Sequence, residues 1–205
     1  MTIDLLGDDT AGLIHALHLG RPDVLGWSLG GFIAEDLATR HPKLVRRLVL
    51  VSSDPGGAQA VQAVPDVLEL DARVTLGQAT LDEILSLLFP PEALNAGLAW
   101  LNRYLSQPAC CESVSYDTGL RQLEAEYSTW YTPDGGVWDA LPGLRSKTLV
   151  MAGLEDIDVP VRNARLLAAR IPDARLRLFP QTGHGLPLQR PTAVANAVDR
   201  FLHGE

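Results

Sequence analysis

The stretch Val24-Leu25-Gly26-Trp27-Ser28-Leu29-Gly30-Gly31-Phe32-Ile33-Ala34 constrains this chain more than any other. It reads as an apolar strand, then a glycine-flanked serine, then a helix. Residues without Cβ let a strand-to-helix turn close tightly, and Gly26, Gly30 and Gly31 are expected to supply that room. Such a turn holds a serine Oγ clear of the strand end and sets the first amides and the positive dipole end of the helix beneath it. A plain glycine-rich turn is the competing reading. The flanks favour the functional one: Arg21-Pro22-Asp23-Val24-Leu25 reads as turn then strand, and Phe32, Ile33, Leu37 and Ala38 recur at helical spacing among Glu35, Asp36, Thr39 and Arg40. Ser28 is then a candidate nucleophile, Leu29 N–H a candidate oxyanion donor and Trp27 a candidate substrate-binding residue.

The rest of the chain alternates strand and helix patterns at both ends and is helical in the middle. Val45 to Ser53 contains a nearly continuous apolar run, which suits a strand covered on both faces of a parallel sheet. Lys147 to Gly153 and Ala174 to Phe179 read as further strands. Asp8 to Leu19, Phe32 to Arg40, Arg162 to Arg170 and Pro191 to Leu202 carry helical periodicity. Between Asp54 and about Arg145, amphipathic segments at Val64 to Leu76, Thr80 to Leu88, Pro91 to Gln107 and Ser115 to Tyr131 follow one another, with no competing strand. The pattern predicts an α/β core over residues 1–53 and 146–205, with about four parallel strands, and a helical insertion over 54–145. That insertion holds Trp100, Trp130, Trp138 and all four tyrosines, either as core or as the wall of a substrate pocket.

Composition narrows the partners. A chain of 205 residues with 46% hydrophobic and 20% charged residues is long enough for one cored domain with an inserted lobe. The net charge of -8, spread rather than blocked, argues against nucleic acid and anionic membrane as partners. No apolar run approaches a membrane span, and Met1-Thr2-Ile3-Asp4 lacks the look of a signal peptide. Adjacent Cys110 and Cys111 would form a strained disulfide, so two inert thiols in a reducing, cytoplasmic setting are expected, with a vicinal redox switch as the alternative. His15 and His18 lack any further ligand cluster and read as ordinary helix residues, so no metal is expected. His41 reads as a cation at a helix C-terminus.

In parallel sheets the reacting groups gather on loops at the carboxyl ends of the strands. Three such loops here carry Ser28, a carboxylate after Gly153, and His184 in Gln181-Thr182-Gly183-His184-Gly185. An alcohol, an imidazole and a carboxylate are the groups that nucleophilic acyl transfer needs. A phosphate-binding turn is a distant alternative, since neither a Walker lysine nor G-x-G-x-x-G is present.

The stretches at 26–31, 148–160 and 179–185, in that order, are similar to those of α/β-hydrolases, of the cap-bearing esterase and lactonase kind. The resemblance covers nearly the whole chain. It implies a catalytic triad of Ser28, Asp156 and His184, with Pro160 closing the acid motif and Glu155 and Asp158 as competing acids. It implies hydrolysis of a small ester, lactone or thioester through an acyl-enzyme on Ser28, with no cofactor and a small-molecule acyl substrate; perhydrolase chemistry runs on the same triad. The family also carries about four strands before the elbow and a second oxyanion amide on a His-Gly type loop, and no such motif precedes Ser28 here. The expectation is therefore a fragment or late-start product with weakened turnover, prone to self-association through the exposed strand 23–27. A second chain supplying the strands is one alternative. A non-catalytic relative that binds a small ligand or protein partner is the other.

Overall fold

A computed structural model describes residues 1–106 and 114–204. The expectation for Cys110 and Cys111 lies outside the described residues. The four apolar runs become strands β1 (Val24–Trp27), β2 (Arg47–Val51), β3 (Lys147–Gly153) and β4 (Ala174–Phe179), all parallel and adjacent in chain order. Their register sets Trp27 opposite Val51, and Val51 opposite Met151. With Gly153 opposite Phe179 in turn, the carboxyl ends of all four strands finish on one rim, where the three predicted site loops emerge after β1, β3 and β4. One parallel sheet of four strands flanked by helices is the architecture expected from the sequence.

Helices α1 (Ile3–Ala16) and α2 (Leu29–Arg40) flank the first strand, α3 (Pro65–Thr75), α4 (Leu81–Leu88), α5 (Leu94–Ser106) and α6 (Tyr116–Ala125) lie between β2 and β3, and α7 (Arg162–Arg170), α8 (Leu186–Gln189) and α9 (Pro191–His203) complete the chain. The apolar run of β2 feeds two cores because side chains alternate across a strand. Leu48 and Leu50 join Val150 and Ala152 under α1, α2 and α7, through residues such as Ile14, Phe32, Leu37 and Leu167. Val49 and Val51 join Leu149 and Met151 on the other face, under Val194, Ala197 and Phe201 of α9. This double covering is why the run is continuous rather than alternating.

One local feature differs from the sequence expectation. The first helix begins at Ile3 rather than near Asp8, because the Thr2 side chain caps it by accepting from Leu5 N–H at 3.2 Å. Gly7, inside it, is the point of closest approach to α2: a Cβ there would sit 2.0 Å from Asp36 Oδ2. At the sheet edge, β1 pairs only with β2 among the described residues, and Leu25 is 52% exposed.

Among the described residues of 54–145 there is no strand. Helix α4 opens with a capping box, Thr80 accepting from Glu83 N–H while Glu83 accepts from Thr80 N–H. Trp130 is core, stacked on Phe32 with ring centroids 5.1 Å apart, and Trp138 lies under the Arg170 guanidinium. Trp100 packs between Phe89 and Tyr104. No single helix among the described residues is long and apolar enough to cross a membrane.

Candidate active site

Ser28 sits where β1 turns into α2, with φ 54° and ψ -128°. This left-handed backbone is one that a side-chain-bearing residue adopts at a cost of about 1–3 kcal/mol, and it persists only where the surroundings overdetermine it. They do so here. Ser28 N–H donates to Val51 C=O at 3.0 Å, and Ser28 C=O accepts from Gly31 N–H at 2.6 Å and Phe32 N–H at 3.3 Å. A Cβ on Gly26 would lie 2.1 Å from Gly30 O, and one on Gly31 would lie 2.4 Å from Ser53 Oγ. Gly30 differs from the expectation: a Cβ there would meet nothing within 4 Å, so the turn does not need its bareness for room. Leu29 N–H is the first amide of α2, one that no intrahelical carbonyl can accept from.

The loops after β3 and β4 are joined across the rim. Gly153 permits this, since a Cβ on it would meet Thr182 O at 2.0 Å. Glu155 N–H donates to Thr182 C=O at 3.0 Å, and Thr182 N–H donates to Glu155 Oε2 at 3.2 Å. Glu155 is thus occupied with the loop backbone. Asp156 Oδ1 accepts from the N–H groups of Asp158 at 3.1 Å and Val159 at 2.8 Å, which fixes its carboxylate. Both of its oxygens lie 3.1 Å from His184 Nδ1.

The other end of the ring faces a second acid: Asp158 Oδ2 lies 3.3 Å from His184 Nε2. No hydrogen bond joins Ser28 Oγ to the ring among the described residues. Of the three acids left open by the sequence, then, two grip the same imidazole. Burial pulls His184 towards neutrality, but Asp156 and Asp158 outweigh it and push the ring up to about 9.

Trp27 is where this loop meets the elbow. Its Nε1 donates to His184 C=O at 3.1 Å, and the two rings lie 5.8 Å apart. It does not line the cavity over Ser28. The loop is also clipped from the other side, Gly185 N–H donating to Leu88 C=O at the end of α4 at 2.7 Å.

Ser28, Leu29 and Phe32 floor a cavity of about 90 Å³, roofed by Asp71 of α3 and by Glu126 and Tyr127 beyond α6, with Asp158 on its wall. No lysine or arginine lines it. Burial raises both roofing carboxyls, Asp71 to about 7 and Glu126 to about 8, with repulsion from Asp158 acting in the same direction on each. Tyr131 also lines this cavity, and its hydroxyl donates to Asp54 at 2.7 Å, while Trp130 Nε1 donates to the same carboxylate at 3.0 Å. Sequence reasoning passed over Asp54, Asp71 and Glu126. The one signal was an acid directly after an apolar strand at Asp54; the other two come together only in three dimensions. A more open depression of about 540 Å³ beside Arg40 and Trp138 shares no residue with the Ser28 cavity. Among the described residues, no group of His, Cys, Asp and Glu side chains has a metal-binding arrangement.

A parallel sheet with a left-handed serine at the β1–α2 turn and a carboxylate-bound histidine on the same rim defines the class. The family model of the alpha/beta hydrolase family matches residues 2–197, and the chain belongs to that family. It is 30% identical over 201 residues to a 2-hydroxymuconate semialdehyde hydrolase of Pseudomonas sp. (strain CF600), covering 97% of this chain and 68% of that protein. It is 31% identical over 193 residues to a pimeloyl-[acyl-carrier protein] methyl ester esterase of Aromatoleum aromaticum, covering 88% of this chain and 74% of the relative. An alpha/beta hydrolase fold protein from Chitinophaga pinensis superposes with a TM-score of 0.85 at 25% identity, over 98% of this chain and 72% of that one.

Proposed function

We propose that this chain is a serine hydrolase that cleaves a small ester, lactone or thioester through an acyl-enzyme on Ser28, with residues 54–145 as its cap. The observation that carries the reading is the Ser28 backbone, held at φ 54° by hydrogen bonds from both flanks while its side chain opens into a roofed cavity. Strain of this kind on a serine, in front of unsatisfied helix amides, is what an attacking oxygen and the oxyanion it creates require.

In the mechanism, His184 in its neutral form accepts the Ser28 hydroxyl proton as Oγ attacks the acyl carbon, then returns that proton to the leaving alcohol or thiol. Asp156 holds Nδ1–H and balances the charge of the imidazolium that forms. Leu29 N–H faces the developing oxyanion. Water then repeats the sequence on the acyl-enzyme, with His184 again as base. Two relatives named as a hydrolase and a methyl ester esterase support this class of reaction.

A fluorophosphonate probe tests the reading, since it phosphonylates only an activated serine. Labelling is expected in the wild-type chain, absent in Ser28→Ala, and reduced about 10³-fold or more in His184→Ala. No labelling of a demonstrably folded wild-type sample would instead assign the chain to the non-catalytic, ligand-binding alternative.

A further inference from the structure

His184 is held at both ends. Nδ1 lies 3.1 Å from each oxygen of Asp156, and Nε2 lies 3.3 Å from Asp158 Oδ2. The His184 side chain is 4% exposed and that of Asp158 11%, so water does not screen the contact. For the acyl-enzyme chemistry proposed above, on which this inference rests, Nε2 must face Ser28 with a free lone pair. In the structure it faces a carboxylate instead. We infer that Asp158 is a positioning residue that occupies the Nε2 end of His184, and that the serine gains its base only when Asp158 releases Nε2.

The chemistry of release balances within the pair. The Nε2 proton passes to Asp158 Oδ2, giving a neutral carboxylic acid and a neutral imidazole, and the Nε2 lone pair then accepts the Ser28 Oγ proton. Nothing enters or leaves. Burial, the largest influence on Asp158, favours its neutral form, with Asp156 and Asp54 acting in the same direction and His184 opposing them. The other titratable groups facing the pair are Asp71 on α3 and Glu126, Tyr127 and Tyr131 after α6, none of them a cation, so among the described residues no competing cation offers Asp158 a different partner. Asp158 also walls the Ser28 cavity, which couples its position to what the cavity holds. A purely structural role for the side chain is not required, because the loop is already tied by Asp158 N–H donating to Asp156 Oδ1.

The test is the ring itself, read by NMR of ¹⁵N-histidine-labelled protein, with His184→Ala to assign the signal among the 5 histidines. In the wild type both His184 nitrogens are expected to be protonated at pH 7, with the ring titrating near 9. In Asp158→Asn the midpoint is expected to fall by about one unit or more, and the acid limb of fluorophosphonate labelling to move by the same amount, raising the rate at pH 7 by about tenfold for each unit. A wild-type ring that is neutral at pH 7, or a variant whose titration superimposes on the wild type, overturns the inference. A shifted ring in protein that never labels at any pH keeps the clamp and removes the hydrolase reading instead. Should Asp158→Asn fail to fold, the wild-type protonation state at pH 7 decides alone.

Discussion

The two sides of the Ser28 cavity are built by different physics. On the elbow side, position is set by backbone: a left-handed φ, three main-chain hydrogen bonds and two glycines whose Cβ atoms would collide with their neighbours. On the histidine and roof side, position is set by charge, with Asp156 and Asp158 on one imidazole and Asp71 and Glu126 overhead. Sterics resists small changes of solution conditions, while an acidic cluster does not. The elbow should therefore respond to added volume, and the roof to pH and to the charge of what enters.

The sharpest contrast lies within the elbow. Gly26→Ala is expected to lose about 1–3 kcal/mol and most of the probe labelling, because its Cβ would fall 2.1 Å from the Gly30 carbonyl oxygen. Gly30→Ala is expected to keep the fold and gain up to about 1 kcal/mol, since the same methyl meets open space within a helix. Thermal melts of the two variants decide this, and equal losses would mean that the turn is not held as described.

On the roof side, charge should dominate selectivity. At pH 9, where Asp71 and Glu126 have both released their protons, a neutral nitrophenyl ester is expected to exceed an otherwise similar ester with a terminal carboxylate by about tenfold or more in kcat/KM, because three acids and no basic side chain line the cavity among the described residues. Parity between the two would show that the acids are neutralised or turned away when substrate binds. Replacing Asp71 and Glu126 by their amides should narrow the preference while leaving the elbow intact.

The smallest effect is on stability. Glu126 rises from 4.5 to about 8 and Asp71 from 3.8 to about 7 on folding, so between those limits the folded chain holds protons that the unfolded chain has released. Their contribution is therefore present at low pH and lost as pH rises through about 7 to 8. His184, raised from 6.5 to about 9, has the same sign and extends the loss upward. The melting temperature is expected to fall by roughly 5 °C or more between pH 5 and 9. Melts that are flat or rise over that range would contradict the upward shifts of these three groups.

The same divide explains what could be read from the chain beforehand. Strands β2 and β3 were legible because continuous apolar runs such as Arg47–Val51 announce double covering, and Ser28 because its glycines are local. His184 and Asp156 followed from their places after strands and from the resemblance. Thr2 as the helix cap was less visible, since the acidic residues at Asp8 and Asp9 mimic a helix start. Trp27 looked like a substrate contact by adjacency, but its ring lies against His184. Asp71 and Glu126 could not be found in one dimension, because each is an ordinary acid on a helical stretch until α3 and the end of α6 converge over Ser28. Asp158 was visible as a competing acid, yet only coordinates distinguish the end of the ring it grips.

The most direct measurement is intact-mass analysis with peptide mapping of folded protein treated with a fluorophosphonate or with a slowly deacylating ester. A single adduct on the Ser28-containing peptide, absent from Ser28→Ala, is the expected result. An adduct on another residue, or an unmodified mass from protein with a cooperative melt, would contradict the claim that this turn presents a nucleophile.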